Sequence, residues 1–173
     1  MVRLISEQFM AVCLMGLVLV SLAGCVTQKA TPLRLKVRTL YSSAVCNSSS
    51  DRASATWLNS PEALAAAYGR LTRSRINAGP PPYVNFSDHN ALLIEMGRRS
   101  TGGYLLSFAA PFVFVTDDRA QIHVNWIEPN AEAITTQLVT SPCLLLEIPK
   151  ASFSSVQVVD QSHRVRAAVD IGK

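Results

Sequence analysis

The sequence predicts an α+β fold made mainly of antiparallel β-strands, in a sheet or a sandwich, with one helix near the N-terminus of the mature domain. Two observations support this prediction. After Tyr83 the chain consists of short apolar or alternating segments separated by turn residues. Before Tyr83, residues 60–71 combine the capping residues and the apolar spacing that are typical of a helix.

The N-terminal segment has the features of a lipoprotein signal. Its apolar stretch from Phe9 to Leu22 is too short to span a ~30 Å hydrocarbon core as a helix. The stretch ends in Leu-Ala-Gly-Cys, which resembles the lipobox of bacterial lipoproteins, whose cysteine carries fatty acyl chains such as palmitate. We therefore expect Cys25 to be lipidated and to become the mature N-terminus. An ordinary secretory signal followed by a chance cysteine is the alternative.

This interpretation divides the chain into three parts and predicts its location. Residues 1–24 form the signal peptide, residues 25–32 a lipidated tether, and residues 33–173 a single domain. The protein would be attached to the cell envelope through its lipid. In a Gram-negative cell, Val26 rather than an aspartate after the lipidated cysteine favours the outer membrane, with the domain facing the periplasm.

The charge and the cysteines restrict the possible partners. The net charge of +4 comes from scattered basic residues without interleaved aromatic residues, which disfavours a nucleic-acid site. In an exported mature chain, Cys46 and Cys143 remain to form a disulfide. Two buried thiols or a zinc site are the alternatives, although none of the three histidines has ligand spacing to either cysteine.

The first half of the domain contains one predicted strand and the helix. Residues 33–41 alternate apolar with polar or basic residues, as a half-buried strand does. Residues 42–56 are rich in serine and are predicted to lack regular structure, so a bond at Cys46 would hold them in place. The helix begins at Ser60-Pro61-Glu62, where a hydroxyl cap, a first-turn proline and an acidic residue favour a helix start. Its arginines are predicted to form a solvated face.

The second half is predicted to be all strands. Proline, aspartate and asparagine residues at 111, 117–118, 129–130, 142 and 149 separate the segments. The predicted strands are residues 91–96, 104–109, 112–116, 121–128, 134–139, 144–148 and 164–171.

Motifs for catalysis or for cofactor binding are absent from the sequence. It contains no Gly-x-Ser-x-Gly, no His-Glu-x-x-His and no Walker or dinucleotide-binding glycine pattern. The adjacent Asp88 and His89 precede a strand and are more typical of a loop surface than of a catalytic pair. We therefore predict no enzymatic activity, no cofactor and no metal.

A glycine-rich stretch, GRRSTGGY (97–104), lies between two apolar runs. Together with the later segment TQLVTSPCLLLEIPK, it resembles the C-terminal domain family named after PrcB, a lipoprotein subunit of a surface protease complex. The resemblance covers about residues 83–150. Ser100 stands where the family usually has proline, and Asn85 stands where aspartate is common. The residues at motif positions are Gly97, Arg99, Thr101, Gly102, Gly103, Tyr104, Pro142, Ile148 and Pro149.

Two interpretations of this loop remain open. In the structural one, Gly102 and Gly103 allow positive φ or a close backbone approach, and Tyr104 packs in the core. In the functional one, the loop contacts a partner, with Arg98 and Arg99 free of any structural role. The candidate partner-binding residues are Arg98, Arg99, Ser100, Thr101, Gly102, Gly103 and Tyr104.

The resemblance implies a non-enzymatic binding or assembly subunit that acts on an exported partner, with a protease as one candidate. One alternative is a protease inhibitor that presents the loop from Gly97 to Tyr104. The STGGY sequence is similar to the TTGY loop of chagasin-type cysteine-protease inhibitors, although their RPW-like segment is missing here. The other alternative is an envelope lipoprotein that binds a small ligand or has a structural role.

Overall fold

The computed structural model describes residues 32–171. The predicted signal peptide, Cys25 and all of the predicted tether except Pro32 lie outside these residues. The described part contains ten strands and one helix, which confirms the predicted α+β class. They are β1 (Leu33–Lys36), β2 (Arg38–Ser43), β3 (Ser54–Leu58), α1 (Pro61–Leu71), β4 (His89–Glu95), β5 (Leu105–Phe108), β6 (Phe112–Thr116), β7 (Arg119–Ile127), β8 (Cys143–Pro149), β9 (Ser155–Val159) and β10 (Val165–Asp170).

The strands form two sheets. One, the central sheet, has the order β2-β8-β4-β3 and is antiparallel throughout. The other, the outer sheet, has the order β1-β6-β7-β9-β10, and β5 pairs with the end of β7 that extends beyond β6. The one parallel pairing among the described strands joins β7 to β9. The predicted preference for antiparallel pairing is therefore confirmed.

The central sheet is buried on both faces. Leu92 and Ile94 share a cluster with outer-sheet residues such as Ile122, whereas Leu93 shares a cluster with Leu64 of the helix. Strands covered on both sides are expected to be apolar at consecutive positions rather than at alternate ones. This explains the uninterrupted apolar runs in β4 and β8. In contrast, β7 alternates between buried and more exposed residues because one face of the outer sheet lies in solvent.

The helix starts and ends through local hydrogen bonds. The Ser60 hydroxyl accepts a hydrogen bond from the Ala63 amide at 3.2 Å, and Pro61 occupies the first turn. The pKa of Glu62 is lowered, first by a hydrogen bond from its own backbone amide to its carboxylate and second by a hydrogen bond from the Ser60 hydroxyl. At the other end, the Asn47 side-chain amide donates to the carbonyl oxygen of Leu71 at 3.2 Å. A serine-rich segment distant in sequence thus satisfies a carbonyl at the helix C-terminus.

Four strand assignments from the sequence were wrong. The predicted strand 33–41 divides at Val37, whose amide donates to Pro111, so that β1 joins the outer sheet and β2 the central one. Residues 54–58 and 155–159 are strands that the sequence analysis missed, the first because nearby serines masked an alternating segment. Residues 134–139 form no strand despite their β-branched residues, because they pack as a loop against another loop.

Candidate functional site

The glycine-rich loop connects β4 of the central sheet to β5 of the outer sheet. A hairpin within one sheet needs only a short turn, whereas this connection must carry the chain from one sheet to the other. The requirement explains why the loop is longer than a simple turn. It also places the loop where two other segments, residues 50–52 and residues 129–140, can contact it.

Gly97 allows the serine-rich segment to cross the start of the loop. Its φ is +84°, and a β-carbon at this position would lie 2.6 Å from the carbonyl carbon of Asp51. The neighbouring Arg98 amide donates to the Ser50 carbonyl oxygen at 2.7 Å. Any larger residue at position 97 would therefore displace backbone and would also be strained in its own conformation.

Gly102 and Gly103 serve different purposes. Gly103 has a φ of +87°, whereas Gly102 lies at a close approach, since a β-carbon there would collide with the Thr136 hydroxyl oxygen unless that side chain moved. The Gly102 amide donates to the Thr136 carbonyl oxygen at 2.9 Å. The structural interpretation of these two glycines, positive φ or a close backbone approach, agrees with the geometry at both positions.

Arg99 has a structural role, contrary to the prediction that both arginines are free. Its guanidinium donates to the Met96 carbonyl oxygen at 2.8 Å and to the Asp51 carbonyl oxygen at 3.3 Å. It also lies 5.5 Å from the centre of the Tyr104 ring. Its backbone exchanges two hydrogen bonds with Thr140. Arg98 instead forms an exposed ion pair with Asp51 at 3.0 Å, which contributes little to stability.

The segment from Pro129 to Val139 is a part of the site that the sequence analysis missed. It covers the glycines of the loop and exposes Ile134 completely, with Leu138 60% and Val139 57% exposed. The apolar residues of ITTQLV were the available signal for an exposed apolar surface. They were instead interpreted as part of a strand.

Two further exposed apolar residues lie close to this segment in the sequence and the sheet. Leu105, directly after the loop, pairs across the sheet with Ile127, two residues before the segment, and both are exposed. We call the combined surface the loop face. It consists of Arg98, Ser100, Gly103, Leu105, Ile127, Ile134, Leu138 and Val139.

The loop face borders a concave pocket of about 530 Å³, with which it shares Arg98, Ser100 and Val139. Both arginines and the Tyr104 side chain contribute to it, as does the carboxylate-bearing Asp51. Polar groups therefore converge beside an apolar lip. The lining residues are Asp51, Arg98, Arg99, Ser100, Tyr104 and Val139.

The predicted disulfide between Cys46 and Cys143 is confirmed, with the two Cα atoms 5.9 Å apart and both residues fully buried. The Cys46 amide donates to the Ser141 carbonyl oxygen at 3.1 Å, one residue beyond Thr140, which contacts the loop. The disulfide therefore fixes the serine-rich segment and the end of the 129–140 segment to the central sheet.

Within residues 32–171, no three His, Cys, Asp or Glu side chains are grouped closely enough to hold a metal ion. The same part of the chain contains no helix long and apolar enough to cross a membrane.

Replacement of Gly103 tests the need for positive φ in the loop. We expect Gly103→Val to lower the free energy of unfolding by about 1–3 kcal/mol, because a β-branched residue is strained at this φ and approaches Pro129. Gly69→Ala is the control, since Gly69 lies in the helix with no atom near its missing β-carbon, and should raise stability by about 0.5–1 kcal/mol. Urea unfolding measures both; an unchanged Gly103→Val variant would contradict the assignment.

Comparisons with known proteins support the resemblance noted in the sequence. No curated protein and no solved structure shows significant similarity to the chain. A family model described as PrcB C-terminal matches residues 91–149, from β4 through the loop face to the end of β8. This segment of the chain is therefore similar to the PrcB C-terminal domain family.

Proposed function

We propose that the protein is a lipid-anchored, non-enzymatic subunit of the cell envelope that binds an exported protein partner through its loop face. The family match supports an association with a protease complex, because PrcB is an associated subunit rather than a catalytic one. A protease is accordingly the first candidate for the partner. The proposed anchor is Cys25, and the proposed location is the cell envelope; in a Gram-negative cell this would be the outer membrane, with the domain facing the periplasm.

The exposure of apolar side chains on the loop face is the observation that carries this proposal. Leu105, Ile127, Ile134, Leu138 and Val139 are all large, apolar and exposed, and they lie in the strands and the segment that flank or contact one loop. Grouped exposed apolar residues with a polar rim are typical of protein interaction sites. Arg98 supplies a charged group at the rim, and arginine is enriched in interfaces.

Substitutions on the loop face test the proposed interface. We expect Leu138→Ser/Val139→Ser to reduce capture of the envelope partner at least tenfold, because the loss of about 1–2 kcal/mol of apolar burial from each side chain weakens binding. The melting temperature should change little, since both residues are exposed. The measurement is a pull-down from detergent-solubilised envelope, in which the wild-type protein identifies the partner.

Ile76→Ser provides the matched control, because Ile76 is an exposed apolar residue in the turn after α1, outside the loop face. This variant should capture the partner as the wild-type protein does. Equal capture by all three proteins would exclude these two apolar residues from the contact.

Lipidation is tested separately from binding. We expect mass spectrometry of the envelope protein to show a chain that begins at an acylated Cys25, because the apolar segment ends in a complete lipobox. Cys25→Ala should leave the chain unprocessed and mislocalised. An unmodified Cys25 thiol, or an intact Met1 in the mature protein, would contradict the anchor without affecting the proposed interface.

The inhibitor alternative makes a different prediction for the purified protein. The loop is held on two sides by residues 50–52 and 129–140, and Gly97 and Gly102 are buried. This arrangement favours a broad docking surface over a loop that inserts into a cleft. Stoichiometric inhibition of a peptidase by the purified protein alone would favour the inhibitor hypothesis. Co-purification with a partner that remains active would favour the subunit hypothesis.

A further inference from the structure

The Arg99 guanidinium, in the pocket beside the loop face, forms no direct ion pair within the described part of the chain. Its two terminal nitrogens donate to the carbonyl oxygens of Asp51 and Met96, which are neutral acceptors. Its Nε–H is buried and has no hydrogen-bond partner. The ion pairs formed by residues 32–171 involve Arg38, Arg70, Arg98 and Arg166, but not Arg99. A partly buried cation without a direct ion pair is energetically unfavourable.

The geometry holds this cation ready for an anion. The carbonyl oxygens and the Tyr104 ring fix the guanidinium plane, so little side-chain entropy is lost when a further group binds. Arg98 lies at the same pocket, and its side chain is bound only to the exposed Asp51 carboxylate, through its Nε. With Asp51 as the single acidic residue in the lining, the pocket has one positive charge in excess.

We propose that this pocket binds a carboxylate that adjoins an apolar group. Arg99 supplies the fixed charge, Arg98 supplies free guanidinium hydrogens after it turns from Asp51, and the Ser100 hydroxyl can donate a further bond. Val139, at the apolar lip, contacts the neighbouring apolar group. The inference rests on the proposed function in one respect, namely that the carboxylate belongs to the protein partner. It identifies that partner segment as acidic and apolar.

Small probes measure carboxylate binding without any partner. The full-length protein, purified in a non-ionic detergent, is titrated with N-acetyl-leucine, which has a chain-terminal carboxylate, and with N-acetyl-glutamate α-amide, which has a side-chain carboxylate. N-acetyl-leucinamide is the neutral control. We expect saturable NMR shifts of the Arg98 and Arg99 amides and of the Arg99 Nε–H with one or both acids. The control should cause none, and added salt should weaken binding.

The two carboxylate probes distinguish the source of the group. Tighter binding of N-acetyl-leucine would indicate a chain terminus of the partner, and tighter binding of the glutamate derivative would indicate an internal acidic side chain. The inference is overturned if neither acid shifts these resonances, or if the neutral control shifts them equally.

Two substitutions should act in opposite directions. Asp51→Asn removes the carboxylate that competes for Arg98, so probe affinity should increase about two- to fivefold. Arg98→Gln removes a charge without disturbing the fixed Arg99, so affinity should fall by a similar factor. Arg73→Gln, a change at an exposed arginine outside the pocket, is the control and should have no effect. Equal affinities for all four proteins would contradict the site.

The outcome is separable from that of the proposed function. If the probes bind and the Arg98→Gln variant captures the envelope partner as strongly as the wild-type protein does, the pocket exists but does not contribute to that interface. If the apolar substitutions abolish capture while no probe binds, the interface stands and the carboxylate site is rejected.

Discussion

Replacing both disulfide cysteines, as Cys46→Ala/Cys143→Ala, is expected to lower the free energy of unfolding by about 4 kcal/mol. In the chain-entropy model, closure of a loop of about a hundred residues stabilises by about 4–5 kcal/mol, and residual structure in the unfolded chain reduces this value. The observed sequence separation is 97 residues. Urea unfolding of the double variant beside the wild-type protein measures the difference.

Reduction of the wild-type protein is the control for packing changes. Reduced wild-type protein and the double variant should have similar unfolding midpoints if the covalent bond is the cause of stabilisation. A double variant within about 1 kcal/mol of the oxidised wild-type protein would contradict the predicted contribution.

Replacing Arg70 with methionine is expected to lower the free energy of unfolding by about 3–5 kcal/mol, because a buried carboxylate loses its partner. The Arg70 guanidinium donates to both Glu95 carboxylate oxygens, at 2.8 and 2.9 Å, and the Glu95 side chain is only 7% exposed. The hydrogen bond that Arg70 donates to the Glu95 carboxylate raises the pKa of Arg70. Thermal and urea unfolding of Arg70→Met provide the measurement.

The double variant Arg70→Met/Glu95→Leu distinguishes loss of an ion pair from loss of packing. It removes the buried charge together with its partner, and apolar replacements of buried pairs are often close to neutral. We expect it to recover most of the lost stability. If the double variant is as unstable as Arg70→Met, the cost lies in helix packing and not in the isolated carboxylate.

Local signals in the sequence predicted the elements that depend on local interactions. The helix follows from Ser60 and Pro61, whose capping roles need no knowledge of distant residues. The runs around Leu92 and Leu145 were recognised as strands because they are apolar at consecutive positions between turn residues. The disulfide followed from elimination, since two cysteines remain in the mature chain.

The errors concern interactions between residues distant in sequence. Arg70 was predicted to be solvated because its partner, Glu95, lies 25 residues away on another element. The segment 134–139 was predicted to be a strand because its composition favours one, while its contact with Gly102 cannot be seen in sequence. The glycine-rich loop was recognised as a candidate site from its own sequence. Its apolar neighbours were missed because their contacts with it join residues that are distant in sequence.

Site-specific photo-crosslinking in intact cells tests the central claim, that the loop face contacts the exported partner. A photoreactive amino acid is placed at Leu138, on the loop face, or at Gln121, an exposed position on the outer sheet. Irradiation should produce an adduct between the partner and the chain substituted at position 138, and none with the chain substituted at position 121. An adduct from position 121 alone, or from neither position while both chains still capture the partner, would contradict the assignment of the loop face.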